Sequence, residues 1–434
     1  MKKRFGAEAS PLHRLYLIFG IEGILYQFAQ SINGFGNAIY ATNLGATDTQ
    51  IGLIQTIPNV LALLIMLPFG LLSDRLKRSR TVPLVCLLFM GIMYFFYGSV
   101  PLFGSLRMSL FFVFLGMTVA SAVLYNAQWQ NFFGDVTTPD NRSETLALRT
   151  NLMSAVGIIT PLICGFFMSA QESTEEKLLV LRVFYYLCGV LVLIQALVLR
   201  RLPCPERIVS TEKIRPAQVA DACRDAFGSK YFRRFFLTGV LFYIAWHPDW
   251  SVWYIEQTQY AHMSEAHLSI AGAVGSIVQI LSLMYFVKLS RKKSVYFTMV
   301  LAQIGYIISV PLSLFAMSSF FSDSAKPWAF IIFSIPPGIL QCTTNLNLVQ
   351  MMLASLPKRN RSLIISLYTM FVTLSNAVLP LFGVKLYTAF GANWNGVLLF
   401  NVFLLTMRVI SLLEIIWLFR VTKKEGRLFA GEPI

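Results

Sequence analysis

The chain has 434 residues, of which 56% are hydrophobic, 14% aromatic and only 13% charged. A soluble globule of this size needs more polar surface, so the composition excludes a water-soluble protein and indicates a chain that lies in a lipid bilayer. The net charge of +15 could serve nucleic-acid binding or membrane orientation. Its distribution along the chain distinguishes these two roles.

Apolar runs close to the ~20 residues that cross the hydrocarbon of a bilayer recur along the whole chain. They predict an all-α polytopic membrane protein with twelve transmembrane helices. The predicted spans lie at roughly 15–40, 51–72, 82–103, 107–133, 145–169, 178–200, 234–258, 267–288, 295–318, 327–354, 363–388 and 395–419.

Positive charge follows the predicted sides of the membrane. With both termini in the cytoplasm, the cytoplasmic ends and loops carry 30 of the 36 Lys and Arg residues. The other six are Arg107, Lys177, Arg182, Lys326, Lys385 and Arg408. This bias fits the positive-inside rule. It predicts a multi-pass protein of the cell inner (cytoplasmic) membrane with both termini cytoplasmic, and nucleic acid is not an expected partner.

One polar pattern occurs twice, 219 residues apart, inside stretches that are otherwise apolar. Asn126, Asn141-Arg142-Ser143 and Pro161 return as Asn345, Asn360-Arg361-Ser362 and Pro380. Asparagines within apolar helices, two N-R-S turns and helix prolines are costly in lipid, so apolar composition does not supply them by chance. The repeat predicts two pseudo-symmetric six-helix halves, residues 1–200 and 234–434.

A cytoplasmic linker, residues 201–233, separates the halves. Pro216 is placed to open a short amphipathic helix and Gly228 to end it. Basic residues follow directly, so the helix could lie on the anionic inner leaflet, or it could be a plain connector.

Between spans two and three stands Gly70-Leu71-Leu72-Ser73-Asp74-Arg75-Leu76-Lys77-Arg78-Ser79-Arg80. This segment resembles the loop signature of the major facilitator superfamily, in which a glycine, three residues, Asp-Arg and further basic residues follow one another. Lys77 stands where the family usually has a second glycine. The second half keeps only the basic run from Lys288 to Lys293. The resemblance implies a permease, a secondary active transporter that works by alternating access.

The same loop predicts a conformational latch. Asp74 could face the positive N-terminal dipole of span eleven and hold the inner side closed. The resemblance implies that the loop charges pair with an acid at the inner end of span four, which here is Asp135, with Arg78 as its partner. The alternative is that Asp74 and Arg75 are solvated loop charges. The predicted latch residues are Gly70, Asp74, Arg75, Arg78 and Asp135.

The resemblance also implies a substrate cavity between spans one, four, seven and ten. Span one carries a polar stripe at spacings of four, four, three and four residues, formed by Glu22, Tyr26, Gln30, Asn33 and Asn37. The stripe could be a cavity wall, or it could make interhelical hydrogen bonds, each worth about 0.6 kcal/mol in a membrane.

Spans four and ten add further lining candidates. Asn126 and Asn345, the repeat pair, could meet across the cavity or make equivalent structural contacts in each half. The full set of predicted substrate-binding residues is Tyr26, Gln30, Asn33, Asn37, Asn126, Trp129, Trp246, Trp250, Gln341 and Asn345.

Span seven holds three Trp and two Tyr between Tyr243 and Tyr254. These rings could stack on a sugar ring or a flat heterocycle, or they could be gate packing or an aromatic belt. His247 and Asp249 are predicted to lie near mid-membrane, where an ionisable group is costly unless it faces a wet cavity. Asp249 is therefore the predicted proton-coupling group, modulated by His247, and Glu22 is the second candidate.

No cysteine pair has metal-binding or redox spacing, and no catalytic or phosphate-binding motif occurs. We therefore expect no enzyme, metal or cofactor. The predicted function is secondary active transport of a small organic solute with a proton as coupling ion, by a monomer in the lipid bilayer. A drug or metabolite efflux antiporter is the alternative within the fold, because Gly157, Pro161 and Gly165 partly resemble an antiporter motif. A second alternative is a membrane sensor that retains the fold but does not transport a solute.

Overall fold

The computed structural model describes residues 11–74, 76–137, 139–202, 204, 206, 216–357 and 361–427. Within these ranges the chain is helical and contains no β-strand, which confirms the all-α prediction. Eleven of the described helical stretches are long and apolar enough to cross a membrane.

The described residues form fifteen α-helices, and all except α7, which lies in the predicted linker, fall close to the predicted spans. Their bounds are α1 Pro11–Asn43, α2 Asp48–Asp74, α3 Thr81–Gly98, α4 Arg107–Val136, α5 Pro139–Ser169, α6 Thr174–Arg200, α7 Pro216–Gly228, α8 Lys230–Trp246, α9 Asp249–Ile255, α10 Glu265–Lys293, α11 Val295–Met317, α12 Lys326–Gln341, α13 Thr344–Ser355, α14 Arg361–Ala389 and α15 Trp394–Lys424. A 3₁₀ helix, Val100–Leu106, precedes α4, and a π-helical turn, Glu256–Tyr260, follows α9.

The helices form two compact units. Unit 1 is Met1–Ala46 with Ile57–Thr211, and unit 2 is Thr47–Thr56 with Glu212–Ile434. In unit 1, α1 packs against α5 and α6, and α3 packs against α4 and α6. Small residues permit the close approach of α3 to α6: a Cβ on Gly189 would lie 3.0 Å from the carbonyl oxygen of Gly91. Such contacts are typical of helix packing in membranes.

In unit 2, α11 packs against α12 and α15, and α15 packs against α8. Apolar side chains cover the outer surface of α10, where Leu281 is 74% and Met284 71% exposed. Contiguous exposed apolar surface of this kind suits lipid rather than water.

Two of the predicted spans are interrupted in unit 2. Span seven is divided into α8, which ends at Trp246, and α9, which begins at Asp249. Pro248 lies in the break, where its missing N–H and its ring prevent a continuous helical ladder. Span ten is likewise divided into α12 and α13. Interrupted helices leave backbone groups to be satisfied by neighbouring side chains, which is characteristic of binding regions in transporters.

The two N-R-S segments differ from the prediction. The backbone of Asn141, Arg142 and Ser143 lies within the start of α5 rather than in a turn. Arg361 and Ser362 begin α14, and Asn360 lies outside the described residues. The repeated prolines, Pro161 and Pro380, lie inside α5 and α14.

Candidate functional site

Unit 2 contains a cavity of about 420 Å³ beside the break in span seven. Its wall combines aromatic faces with a few polar groups, a composition typical of small-molecule sites. The lining residues include Trp246, Asp249, Trp250, Trp253, Tyr306, Ser309, Ser313, Phe330, Phe333, Ser334, Gln341 and Arg408.

An ion pair forms part of the cavity wall. The Arg408 guanidinium of α15 lies 2.6 Å, Nη2 to Oδ2, from the carboxylate of Asp249 at the start of α9. Arg408 also donates to the carbonyl oxygens of Tyr306 (2.8 Å) and Ala245 (3.3 Å) and to Ser309 Oγ (3.0 Å). Because Ala245 lies near the end of α8, Arg408 connects both sides of the break.

Aromatic rings surround this pair. The rings of Trp246 and Trp250 meet edge to face, with centroids 5.2 Å apart. Trp253 packs on Phe330 with centroids 4.8 Å apart. All four residues line the cavity, so the two predicted Trp residues of span seven lie at the site and Trp253 joins them, whereas the predicted Trp129 does not line it. Flat aromatic faces of this kind can stack on a planar or ring-shaped solute.

His247 contacts α14. Its Nδ1 lies 2.9 Å from Ser375 Oγ, and its side chain is almost fully buried. Its ring also packs on Tyr243 and Trp250, with centroids 4.7 and 4.8 Å apart. These contacts hold the imidazole at the break, and its proposed influence on Asp249 stays a prediction.

The break in span ten separates two predicted lining residues. Gln341, the last residue of α12, lines the cavity. Asn345 lies beyond the break in α13, and its side chain is exposed.

Unit 1 contains a different polar centre. Glu22 of α1 is fully buried and accepts a hydrogen bond of 2.7 Å from Arg149 Nε of α5. Tyr125 Oη and Gln195 Nε2 donate to the same carboxylate at 2.5 and 2.9 Å. The Arg149 guanidinium lies 4.0 Å above the Trp129 ring. Four helices therefore enclose this ion pair.

Tyr26 and Asn126 continue this centre. Asn126 Nδ2 donates to Tyr26 Oη, and the rings of Tyr26 and Tyr125 lie 5.2 Å apart. Gln30 is half-buried, and its Nε2 has no hydrogen-bond partner among the described residues.

The lower part of the span-one stripe bonds to neighbouring helices. Asn33 Nδ2 donates to Tyr94 Oη of α3. Asn37 Oδ1 accepts from Tyr97 Oη at 3.1 Å and from Tyr185 Oη at 2.8 Å. These are the interhelical hydrogen bonds that the sequence left as the alternative to a cavity wall. A substrate contact by Asn33 or Asn37 stays a prediction.

The predicted latch falls partly outside the described residues. Arg75 is not described, and only the backbone of Gly70 and Asp74 is. Arg78 lies 2.9 Å from Glu206 in an exposed pair, which contributes little stability. Its expected pairing with Asp135 stays a prediction.

Several residues of these centres escaped the sequence reasoning. Arg149 was counted among the cytoplasmic charges, yet it is buried against Glu22. Arg408 is one of the six basic residues outside the cytoplasmic ends and loops, and no sequence pattern indicates its partner. The available signal was the cost of a charge within an apolar helix, which predicts a buried partner without identifying it.

Comparisons with known proteins agree with this architecture. The sequence model of the Major Facilitator Superfamily matches residues 20–322 and 252–433. No curated protein sequence matches the chain significantly.

Solved structures share the fold at low sequence identity. They include a mutant of the nucleoside transporter NupG, with a TM-score of 0.72, 13% identity, and coverage of 93% of this chain and 100% of the other. A bacterial homologue of the human lysosomal transporter Spinster matches with a TM-score of 0.61 and 16% identity. This match covers 99% of this chain and 100% of the other. A POT family transporter in complex with a thioalcohol-conjugated peptide matches with a TM-score of 0.68 and 12% identity. This match covers 95% of this chain and 96% of the other. The helical architecture and the family match over most of the chain lead to one conclusion: this protein belongs to the major facilitator superfamily.

Proposed function

We propose that the protein is a secondary active transporter that moves a small organic solute by alternating access, coupled to protons. The observation that carries this proposal is the unit 2 cavity, whose wall joins aromatic faces to the Asp249–Arg408 ion pair beside a broken helix. A solute could bind there, and a titratable group stands at the same place.

The lining favours a neutral or amphiphilic solute with a flat face. A volume of about 420 Å³ falls within the range for small-molecule pockets. Asp249 and Arg408 neutralise each other, so they leave little net charge to hold a multiply charged solute. NupG is a nucleoside transporter, and a nucleoside, which is a flat heterocycle on a sugar, has a shape that three Trp residues suit.

Protonation of Asp249 provides the coupling. A proton on this carboxyl removes the charge that attracts Arg408, which also contacts Ala245 and Tyr306. Loss of the ion pair would therefore change the contacts that join α8, α9, α11 and α15. A proton that favours one arrangement of the break shifts the population of conformations, which is what coupling requires.

The proposed transporter has a defined orientation in the membrane and an inner latch. The Lys and Arg bias supports an inner-membrane protein with cytoplasmic termini. We place the inner latch at Asp74, Arg75, Arg78 and Asp135. The six-helix halves, joined by the linker that contains α7, serve as the moving parts of a monomer.

The test begins with solute identification. A panel of nucleosides, sugars and amphiphilic drugs is screened by thermal stabilisation of the purified protein, since a ligand that binds the native state raises its melting temperature. Compounds that stabilise it are then tested for uptake into proteoliposomes. Absence of flux for every stabilising compound would favour a non-transporting sensor.

Asp249→Asn separates coupling from transport. Asparagine cannot titrate, so accumulation driven by a pH gradient should fall at least about tenfold, while exchange of solute, which needs no net proton movement, should persist. Glu175→Gln, an exposed acid in the first turn of α6, is the matched control. Gradient-driven transport that survives in Asp249→Asn would contradict the coupling role. Solute accumulation that is driven by a pH gradient of the opposite direction would instead identify the protein as an efflux antiporter.

A further inference from the structure

A second carboxyl faces α15 in register with the Asp249 pair. Glu256 lies seven positions after Asp249, and Arg408 lies seven positions after Asn401. Asp249 meets Arg408, and Glu256 Oε1 accepts from Asn401 Nδ2 at 2.6 Å. Both contacts therefore belong to one antiparallel interface, about 10 Å apart along the helix axis.

The two carboxyls differ in their partners. Asp249 has an arginine, whereas Glu256 has a neutral amide. Glu256 is fully buried, and its Oε2 has no hydrogen-bond partner among the described residues. An ionised carboxylate in that place would bury a charge with a single neutral donor, which is costly. The neutral acid avoids most of that cost.

The charged and titratable groups around Glu256 do not relieve this cost. Asp249 repels a second negative charge, and Arg408 is already engaged by Asp249 and two carbonyl groups. From α14, Tyr387 faces the same region and bonds Tyr260 Oη at 2.8 Å. Neither tyrosine carries a positive charge, and among the described residues Arg408 is the cation that acts on Glu256, from across the Asp249 pair.

The local backbone is unusual at this residue. Glu256 begins the π-helical turn, and its carbonyl oxygen accepts from Ala261 N at 2.9 Å, five residues on. A π-turn inserts an extra residue into the helix and is frequent at functional sites. Here the turn accompanies a carboxyl that points into the interface with α15.

We propose that Glu256, held by Asn401, is a second proton-binding site, separate from Asp249. The proton comes from water and occupies the Glu256 carboxyl, which changes between the neutral acid and the carboxylate without any other bond being made or broken. Proton binding at Glu256 depends only on the interface within unit 2. The use of this proton in transport rests on the function proposed above.

Infrared spectroscopy of the full-length purified protein tests the site directly. The carbonyl stretch of a protonated carboxylic acid is recorded in water and heavy water over an acid-to-alkaline titration. Glu256→Gln should remove the amplitude of one buried carboxyl from this band, and Glu175→Gln should leave the band unchanged. Equal amplitude in the wild type and Glu256→Gln would overturn the proposal.

Asn401→Leu gives an independent reading if Glu256→Gln does not fold. Leucine removes the one donor that the described part of the chain gives the carboxylate, so Glu256 should keep its proton to a higher pH, by about 1 pH unit. A titration midpoint equal to that of the wild type would show that Glu256 is not the titrating group.

Transport measurements distinguish the Glu256 site from the proposed proton-coupled function. In proteoliposomes, Glu256→Gln should reduce the number of protons that move per solute while net transport continues through Asp249. A wild type without solute-driven proton movement would refute the coupling proposal and leave the infrared site intact. A coupled wild type with an unchanged band in Glu256→Gln would refute the site alone.

Discussion

Two ion pairs that are buried among the described residues have the same chemistry and opposite surroundings. In unit 1, Tyr125, Gln195 and the Trp129 ring enclose Glu22 and Arg149. In unit 2, Asp249 and Arg408 stand on the wall of a cavity beside a break in span seven. The first pair is enclosed by its hydrogen-bond partners and an aromatic ring, and the second borders open space.

The difference shows why intramembrane charge alone does not locate a site. Each pair meets the cost of burying a charge by adding hydrogen bonds. In unit 1 these bonds hold α1, α4, α5 and α6 together. In unit 2 they reach carbonyl groups on both sides of a broken helix, so a change at the pair can alter the break. We therefore expect unit 1 variants to affect mainly stability and unit 2 variants to affect mainly transport.

The largest expected effect follows removal of the unit 1 arginine. Arg149→Met leaves Glu22 buried without its cation and should lower the free energy of unfolding by about 3–5 kcal/mol. The double variant Glu22→Gln with Arg149→Met should recover part of this loss, because no buried charge remains. Reversible unfolding in mixed micelles measures both. A loss below about 1 kcal/mol for Arg149→Met would mean that the pair is not a structural lock.

The break in span seven offers the next effect. A Cβ on Gly383 of α14 would lie 2.1 Å from the carbonyl oxygen of Pro248. Gly383→Ala must therefore displace α14 or the break, and we expect a loss of about 1–3 kcal/mol together with reduced transport. Gly275→Ala is the matched control in the same unit, since no atom lies within 4 Å of its added methyl group. Equal stability of the two variants would show that the break tolerates movement of α14.

The repeated asparagines should separate binding from packing. Asn345 is exposed, so Asn345→Ala should weaken solute affinity by about 1–3 kcal/mol with unchanged stability if its amide meets the solute. Asn126 donates to Tyr26, so Asn126→Ala should lower stability as well. Binding by titration calorimetry and unfolding by thermal scans measure the two effects. Normal affinity together with lowered stability in both variants would make the pair structural.

Asp249→Asn should cause the smallest change in the free energy of unfolding. Arg408 keeps its bonds to Ala245, Tyr306 and Ser309 in that variant, so we expect a loss of only about 1 kcal/mol. The corresponding change in unit 1, Glu22→Gln, should cost more, since Arg149 then keeps mainly its contact with the Trp129 ring. Equal losses for the two variants would erase the contrast between the pairs.

Beyond the membrane spans, the end of α15 carries a simple electrostatic contact. Glu425 accepts from Arg234 at 3.0 Å and from Lys230 at 3.4 Å. Partial burial acts to raise the pKa of this carboxyl, but the hydrogen bonds and positive charges of the two side chains outweigh it and hold the pKa below its usual range. The contact ties the start of α8 to the end of α15.

The sequence by itself determined the helical membrane architecture. Apolar runs of the length of a bilayer, the bias of basic residues and the loop signature around Asp74 are local properties of the chain, and they identified both the spans and the family. Pro216 and Gly228 marked the bounds of α7 for the same reason. Pro248 is a local signal of a weakened helix, although only the structure shows that span seven divides there.

Only the tertiary structure decided which charges meet. Glu22 and Arg149 are 127 residues apart, and Asp249 and Arg408 are 159 apart. Helical periodicity specifies the face of a residue on its own helix, but packing of distant helices specifies its partner. Enclosure of one pair and exposure of the other to a cavity depend on the side chains of several helices at once. No local pattern in a single sequence encodes that arrangement.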